Sequence, residues 1–315
     1  MVEKPWVRSI FEIDRLRFLL FIHVFSIAMA YAQVERIEPP NWWVGFEDKN
    51  LQILLKGQDL RSYSVTLDHP SVVLKAVHAA DSPNYLFLDL FIPENTPPGT
   101  LYFELTAKED ATVRLSYELQ ARSYGQEFYK GFSSEDVIYL ITPDRFANGN
   151  PDNDVVPDMR EKGIDRKDDY ARHGGDIRGI INNLDYISKM GFTALWSSPL
   201  LENDMPEQSY HGYAITDFYK VDPRFGTLAE YRELAEKARE KGIKLIMDQV
   251  ANHCGLYHWW MEDLPFSDWV NEQTSFENGE AVNISNHRRT TNHDLYASDR
   301  DKESMSRGWF VSAMP

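Results

Sequence analysis

Between Val137 and Met247 the chain alternates three short apolar runs with two stretches of helical period, and few folds accommodate that order. Val137-Ile138-Tyr139-Leu140-Ile141, Phe192-Thr193-Ala194-Leu195-Trp196 and Ile243-Lys244-Leu245-Ile246-Met247 suit buried strands. Between the first two, Asp176 caps a segment whose Ile177, Ile180, Ile181, Leu184 and Ile187 share one helical face, closed by Gly191. Between the last two, Thr227 and Glu230 form a capping-box signature ahead of Leu228, Tyr231, Leu234, Ala235 and Ala238, with Gly242 behind them. Strand, helix, strand, helix, strand predicts parallel strands joined by crossover helices. A closed barrel of this kind needs eight strands. The pattern therefore predicts either a small open sheet or the first part of a barrel left incomplete within this chain.

Residues 33–125 carry a different period. Leu51-Gln52-Ile53-Leu54-Leu55, Ser71 to Val77, Tyr85 to Phe91 and Leu101 to Leu105 are short runs separated by turn clusters, of which Asp81-Ser82-Pro83-Asn84 and Asn95-Thr96-Pro97-Pro98-Gly99 are the clearest. Strands at this spacing predict a small β-sandwich of immunoglobulin type. Trp42-Trp43 is either a sugar-stacking surface or one core and one interface residue. The segment from Cys254 to Pro315 has no clean period and is rich in Asn, His, Trp and Asp. Such an excursion after a strand's C-terminal end is where parallel α/β proteins place functional insertions.

Charge and targeting narrow the partners. The chain of 315 residues carries 33 Lys+Arg against 49 Asp+Glu, a net charge of -16. Phosphate binding needs a basic face, so nucleic acid and anionic membranes are excluded as expected partners. Cys254 is the single cysteine, which rules out an internal disulfide and a multi-cysteine zinc site. An apolar run from Phe18 to Met29 follows Arg15 and Arg17 and ends in Ala30-Tyr31-Ala32. It is shorter than the roughly 20 residues of a membrane span and reads as a secretory signal over residues 1–32. The expectation is a secreted, periplasmic protein with no membrane anchor once the signal is removed.

Three polar stretches can carry chemistry. Asp144-Arg145-Phe146-Ala147-Asn148-Gly149-Asn150-Pro151-Asp152-Asn153-Asp154, with Gly174-Gly175-Asp176 later, is dense in the hard oxygen donors that calcium takes. It lacks the EF-hand spacing, and its composition is equally that of a solvated turn. Asp248-Gln249-Val250-Ala251-Asn252-His253 directly follows the third strand, at the end where parallel α/β proteins bind ligands. A hydrogen-bonded cap on the sheet would use the same residues. The stretch His211-Gly212-Tyr213 to Gly226-Thr227 offers an aromatic face for stacking on a sugar ring, although one aromatic there serves a core equally well.

Taken together, these stretches resemble the α-amylase family of glycoside hydrolases, in particular its cyclomaltodextrinase and neopullulanase branch. Asp248-x-Val250-x-Asn252-His253 is similar to the family's first conserved region. Gly212-Tyr213 through Asp222-Pro223-Arg224-Phe225-Gly226-Thr227 is similar to the segment entering its second barrel helix. Ile37-Glu38-Pro39-Pro40-Asn41-Trp42-Trp43-Val44-Gly45-Phe46 is similar to the start of the sandwich preceding the barrel. The resemblance implies a β-sandwich over 33–125, the first three units of a TIM (β/α)8 barrel over 126–248, and a truncated insertion domain of B type over 249–315. It implies a structural calcium held by Asn148, Asn150, Asn153, Asp154, the Gly174 carbonyl and Asp176. Tyr213 matches the aromatic that stacks on the sugar at the cleavage subsite, His253 an imidazole that hydrogen-bonds it, and Asp248 a supporting carboxylate.

The implied substrate is an α-1,4-glucan such as a cyclodextrin, pullulan or maltooligosaccharide, and a longer parent could form a homodimer. Retaining glycosidases need two carboxyl groups about 5–5.5 Å apart. In this family both belong to later strands, so no catalytic nucleophile or acid/base is assigned here and the chain alone is expected to be inactive. The competing expectation is a non-catalytic calcium- and glucan-binding protein.

Overall fold

The computed structural model describes residues 34–107, 112–123, 131–280, 298 and 312–314. The expected signal segment and most of the chain beyond residue 280 lie outside the described residues. The chain divides into two compact units, Met1–Tyr124 and Gly125–Pro315.

In the first unit, eight strands make two four-stranded sheets. One contains β1 (Val34–Glu38), β3 (Asn50–Gly57), β5 (Val73–Ala79) and β6 (Tyr85–Phe91), in the order β1-β3-β6-β5. The other contains β2 (Trp42–Trp43), β4 (Ser64–Leu67), β7 (Gly99–Thr106) and β8 (Val113–Gln120), in the order β2-β8-β7-β4. All pairings are antiparallel except the short β2–β8 contact. Alternation explains the core: Leu101, Phe103 and Leu105 of β7 point inward while Tyr102 and Glu104 face out. Ile53, Leu55, Leu88, Leu90 and Tyr117 complete one cluster drawn from both sheets. Each such side chain contributes about 1.5–3 kcal/mol by leaving water. The four expected runs all form strands; β1, β2, β4 and β8 are additional.

In the second unit, β9 (Ile138–Ile141), β10 (Ala194–Ser197) and β13 (Lys244–Met247) form a parallel sheet with β10 in the middle. Ala194 pairs with Ile138 on one side and with Lys244 on the other. β11 (Leu201–Glu202) and β12 (Asp217–Val221) make a separate antiparallel ribbon. Asp136 fastens the starts of the parallel strands, accepting from Thr193 Oγ1 at 2.9 Å and Lys244 Nζ at 2.7 Å. A short α1 (Pro143–Phe146) follows β9.

The expected helix after Asp176 is two pieces, α2 (Ile177–Asn182) and α3 (Leu184–Lys189). Asn183 breaks it: its side-chain amide donates to Gly179 O at 2.8 Å, displacing its own backbone N–H onto Ile180 O. Asp176 caps α2 as expected, and the Thr227–Glu230 capping box opens α4 (Leu228–Glu240) with both reciprocal bonds formed. These helices cover one sheet face, with Ile141, Ile177, Ile180, Ile187, Leu195 and Leu234 buried between them. The alternate residues Leu140 and Trp196, paired across the sheet, are exposed on the other face. Beyond β13 the chain runs through turns at Trp259–Glu262 and Ser267–Trp269 to α5 (Gln273–Glu277). No helix among the described residues is long and apolar enough to cross a membrane.

Candidate functional site

The C-terminal ends of β10 and β13 bring together residues far apart in sequence. Asp248, just past β13, accepts on Oδ2 from Tyr213 OH at 2.9 Å and from Trp196 Nε1 at 3.1 Å. Burial, followed by the Asp248 bond, pushes the Tyr213 phenol up to about 12, so it stays a neutral donor. His253 Nε2 donates to Tyr213 O at 2.9 Å, and Asn252 Nδ2 donates to His253 Nδ1 at 2.9 Å. The bond to the Tyr213 carbonyl places a proton on Nε2. His211 Nδ1 accepts from Tyr213 N at 2.9 Å, and its ring stacks on the phenol at 6.0 Å. Burial lowers the His211 pKa, which suits it to this acceptor role. Tyr213 remains 37% exposed, enough to offer a ligand one aromatic face.

Tyr213, His253 and Asp248 thus meet in one constellation. Trp196 and His211 complete it. Trp196 escaped sequence reasoning because it read as an ordinary strand residue, although its place at the C-terminal end of β10 was the available signal.

A second cluster lies in the loop between α1 and α2. Asn148 Nδ2 donates to Asp154 Oδ1 at 2.7 Å over Gly174, whose φ is +86°. A Cβ at Gly174 would stand 2.6 Å from Asp154 Oδ1, so the carboxylate and the glycine enclose a small cradle. The amide oxygens of Asn148 and Asn153 are buried without a hydrogen-bond partner. Burial raises the Asp154 carboxyl pKa, and the neighbouring Asp176 charge adds to that. A cation would relieve both effects. Asn150 Oδ1 accepts from Asp152 N, and Asp176 accepts from the backbone of Gly149, Asn150 and Gly179, which draws this loop onto the start of α2. Orphaned amide oxygens, one destabilised carboxylate and a side-chain-free cradle fit a hard cation such as calcium. No group of three or more His, Cys, Asp or Glu side chains placed to hold a metal occurs among the described residues. A cation in the cradle would therefore be held by amides, carbonyls and at most two carboxylates.

Beside the cradle lies a buried ionic network. Asp144 accepts from His173 N at 2.8 Å and Gly174 N at 3.2 Å, and also pairs with Arg145 and with Arg172 at 3.6 Å. Gly175 packs so closely on α1 that a Cβ there would meet Pro143 O at 2.0 Å. Asp222 takes three bonds from Arg224 and a fourth from Asn203 N. Burial pushes the Asp222 carboxyl up, but Arg224 and Arg172 outweigh it and hold the group below its ordinary pKa. From His253 a cleft of about 290 Å³ extends past Asn252 to Phe218, Trp260 and Trp269. Trp260 and Trp269 meet edge-on at 4.9 Å.

Comparison with known proteins adds an independent line. The family described as alpha amylase, catalytic domain, matches residues 140–315, and the cyclomaltodextrinase N-terminal family matches residues 36–123. Neopullulanase 2 of Thermoactinomyces vulgaris is 41% identical over 39% of this chain and 20% of its own length. Cyclomaltodextrinase of Thermoanaerobacter pseudethanolicus is 34% identical over 46% of this chain and 25% of its own. Periplasmic alpha-amylase of Escherichia coli is 36% identical over 38% of this chain and 19% of its own. The matches span a quarter or less of these curated relatives.

Proposed function

The chain belongs to the alpha-amylase family, and from that premise we propose that it supplies the glycone-binding wall of a glycosidase acting on α-1,4-glucans by retaining double displacement. The observation that carries this reading is the convergence of Tyr213, Trp196 and Asp248 at the strand ends, with His253 held against Tyr213. Tyr213 provides the stacking face for a glucosyl ring. Asp248 Oδ2 orients the phenol and the Trp196 indole, leaving Oδ1, which no described residue hydrogen-bonds, to accept from a sugar hydroxyl. His253 holds the Tyr213 backbone and so fixes the height of the ring. Asp248 has its two donors in place as an orienting group, which supports a binding role over nucleophilic attack.

Asn148, Asn150, Asn153, Asp154, the Gly174 carbonyl and Asp176 would hold calcium, which supplies a fixed positive centre that rigidifies the loop after β9. The immunoglobulin-like sandwich, the first three barrel units, the B-type insertion from residue 249, the 1–32 secretory signal, a periplasmic location and a homodimer of a longer parent complete the proposal. The cleft toward Trp260 extends the aromatic lining for further glucosyl units.

Maltoheptaose titrated into the chain in calcium by calorimetry should bind saturably, and Tyr213→Ala should weaken the Kd by at least about tenfold, as for loss of one stacked ring. A reducing-sugar assay on the same sample should show no release. Absence of saturable binding, or equal affinity in Tyr213→Ala, overturns the glucan reading; release of reducing ends overturns the expected inactivity.

A further inference from the structure

One carboxylate faces both the cation cradle and the loop that carries the sugar platform. On its first side, Asp144 accepts from His173 N at 2.8 Å and Gly174 N at 3.2 Å, and Gly174 forms the cradle wall under Asn148 and Asp154. On its second side it pairs with two guanidinium groups, Arg172 and Arg145. Both reach the same short turn, Ser209–His211. Arg172 NH1 donates to Ser209 Oγ at 3.4 Å, and the Arg145 guanidinium lies 3.9 Å over the Tyr210 ring. Ser209 is fully buried and pinned again by Glu161 on its N–H at 2.7 Å and by Asn203 on its carbonyl at 3.2 Å. The turn ends in His211, which receives the Tyr213 N–H and stacks on the Tyr213 ring.

We propose that Arg172 and Arg145 are positioning residues through which Asp144 links the cation cradle to the Ser209–His211 turn, so that calcium and glucan bind cooperatively at separate places. The cooperativity rests on the glucan reading above; the mechanical link does not. Asp144 and Arg172 are 0% and 1% exposed at their side chains. In such a water-poor setting charge interactions are strong and packed groups switch between discrete arrangements rather than deform smoothly. A cation that fixes Gly174 fixes the Asp144 carboxylate bonded to its N–H, and with it both arginines. Arg172 Nε and NH2 have no hydrogen-bond partner, so this guanidinium is held by the charges of Asp222 and Asp144, by the Ser209 hydroxyl and by the Phe225 ring 4.8 Å away. Asp144 is the one of these partners that also touches the cradle, so a shift of its carboxylate changes the balance that places Arg172.

Two readouts on the full chain test the link. In the first, maltoheptaose and calcium affinities are each measured with and without the other. Calcium should tighten maltoheptaose about tenfold, and maltoheptaose should tighten calcium by the same factor, since coupling is reciprocal. Ser209→Ala combined with Arg145→Leu should bring that factor close to one while leaving the sugar-free calcium affinity within about threefold. A merely structural role would change the two affinities and spare the ratio.

In the second, the chain carries 3-fluorotyrosine and the Tyr213 resonance is identified by its loss in Tyr213→Phe. It should shift on calcium addition in the parent and shift by a clearly smaller amount in the mild Ser209→Ala variant, which removes one of the two arms. Failure of calcium to bind, failure of the resonance to move in the parent, or an undiminished shift in Ser209→Ala overturns the link. If the resonance responds as expected while maltoheptaose never binds, the link stands and the glucan reading falls.

Discussion

The two units of this chain are built on different physics. In the first, the buried set is almost wholly apolar, with Glu38 and Thr96 as the polar exceptions among the described residues. In the second, Asp144, Arg172, Asp176, Asp222 and Arg224 are buried beside the apolar cluster. An apolar core gains from burial in proportion to area and accepts many packings of similar volume. A buried charge accepts few, because each unmet donor or acceptor is penalised. The contrast teaches where shape is fixed: the two-sheet first unit is stabilised by transfer from water, whereas the second unit is held to one geometry around its polar site.

The sharpest way to break that comparison is Asp222→Ala. It leaves Arg224 buried without its carboxylate and should cost about 3–5 kcal/mol, read by urea unfolding with hydrogen exchange resolving the two units. The loss should be confined to the second unit, and a loss under about 1 kcal/mol would refute the ionic account. Leu88→Ala in the first unit should cost about 2–5 kcal/mol through lost transfer and a cavity, in that unit's transition only. Leu88→Ile at the same place should cost less than about 1.5 kcal/mol, which no conservative change at Asp222 will match. Thr227→Ala removes one half of the capping box and should lower protection of the α4 amides by about 1 kcal/mol.

The smallest effect is one of pH. The Lys244 ammonium, then the Ser133 N–H and the Thr193 hydroxyl, hold the Asp136 carboxyl down to about 2. Its folded pKa lies below the unfolded value of about 3.9, so its contribution is complete above that value and lost as pH falls towards 2. The stability difference between the parent and Asp136→Asn should shrink over this window and vanish below it.

Periodicity made much of this legible in the sequence. The inward alternation of β7 and the capping signals at Asp176 and Thr227 are local, and the elements formed where those signals stood. β4 is only four residues long and its strand character comes from pairing with β7, whereas β8 alternates Val113, Leu115, Tyr117 and Leu119 with polar residues, so its signal stood in the sequence although it was not among the runs singled out. The broken helix at Asn183 was hidden because a side-chain amide competing for Gly179 O leaves the apolar period untouched. At the site, Tyr213, His253 and Asp248 were named from a motif, and the geometry draws them together. The Asp144–Arg172 contact was illegible: its partners are separated by an irregular loop, where no period relates one position to another.

The adjacent glycines at 174 and 175 carry a lesson about heritable change. Position 175 is closed to every other residue by the Pro143 carbonyl, an obstacle in the main chain that cannot swing aside. Position 174 is obstructed by the Asp154 and Asn148 side chains and by a positive φ of 86°, which a residue such as asparagine tolerates. In a saturation library sorted only for folded protein, codon 175 should return a single letter and codon 174 a small alphabet. Sorting the same library for cation retention should collapse the second alphabet onto the first. Neighbouring codons that look alike in the gene would then be preserved by separate selective pressures, one acting on assembly of the chain and one on what it holds.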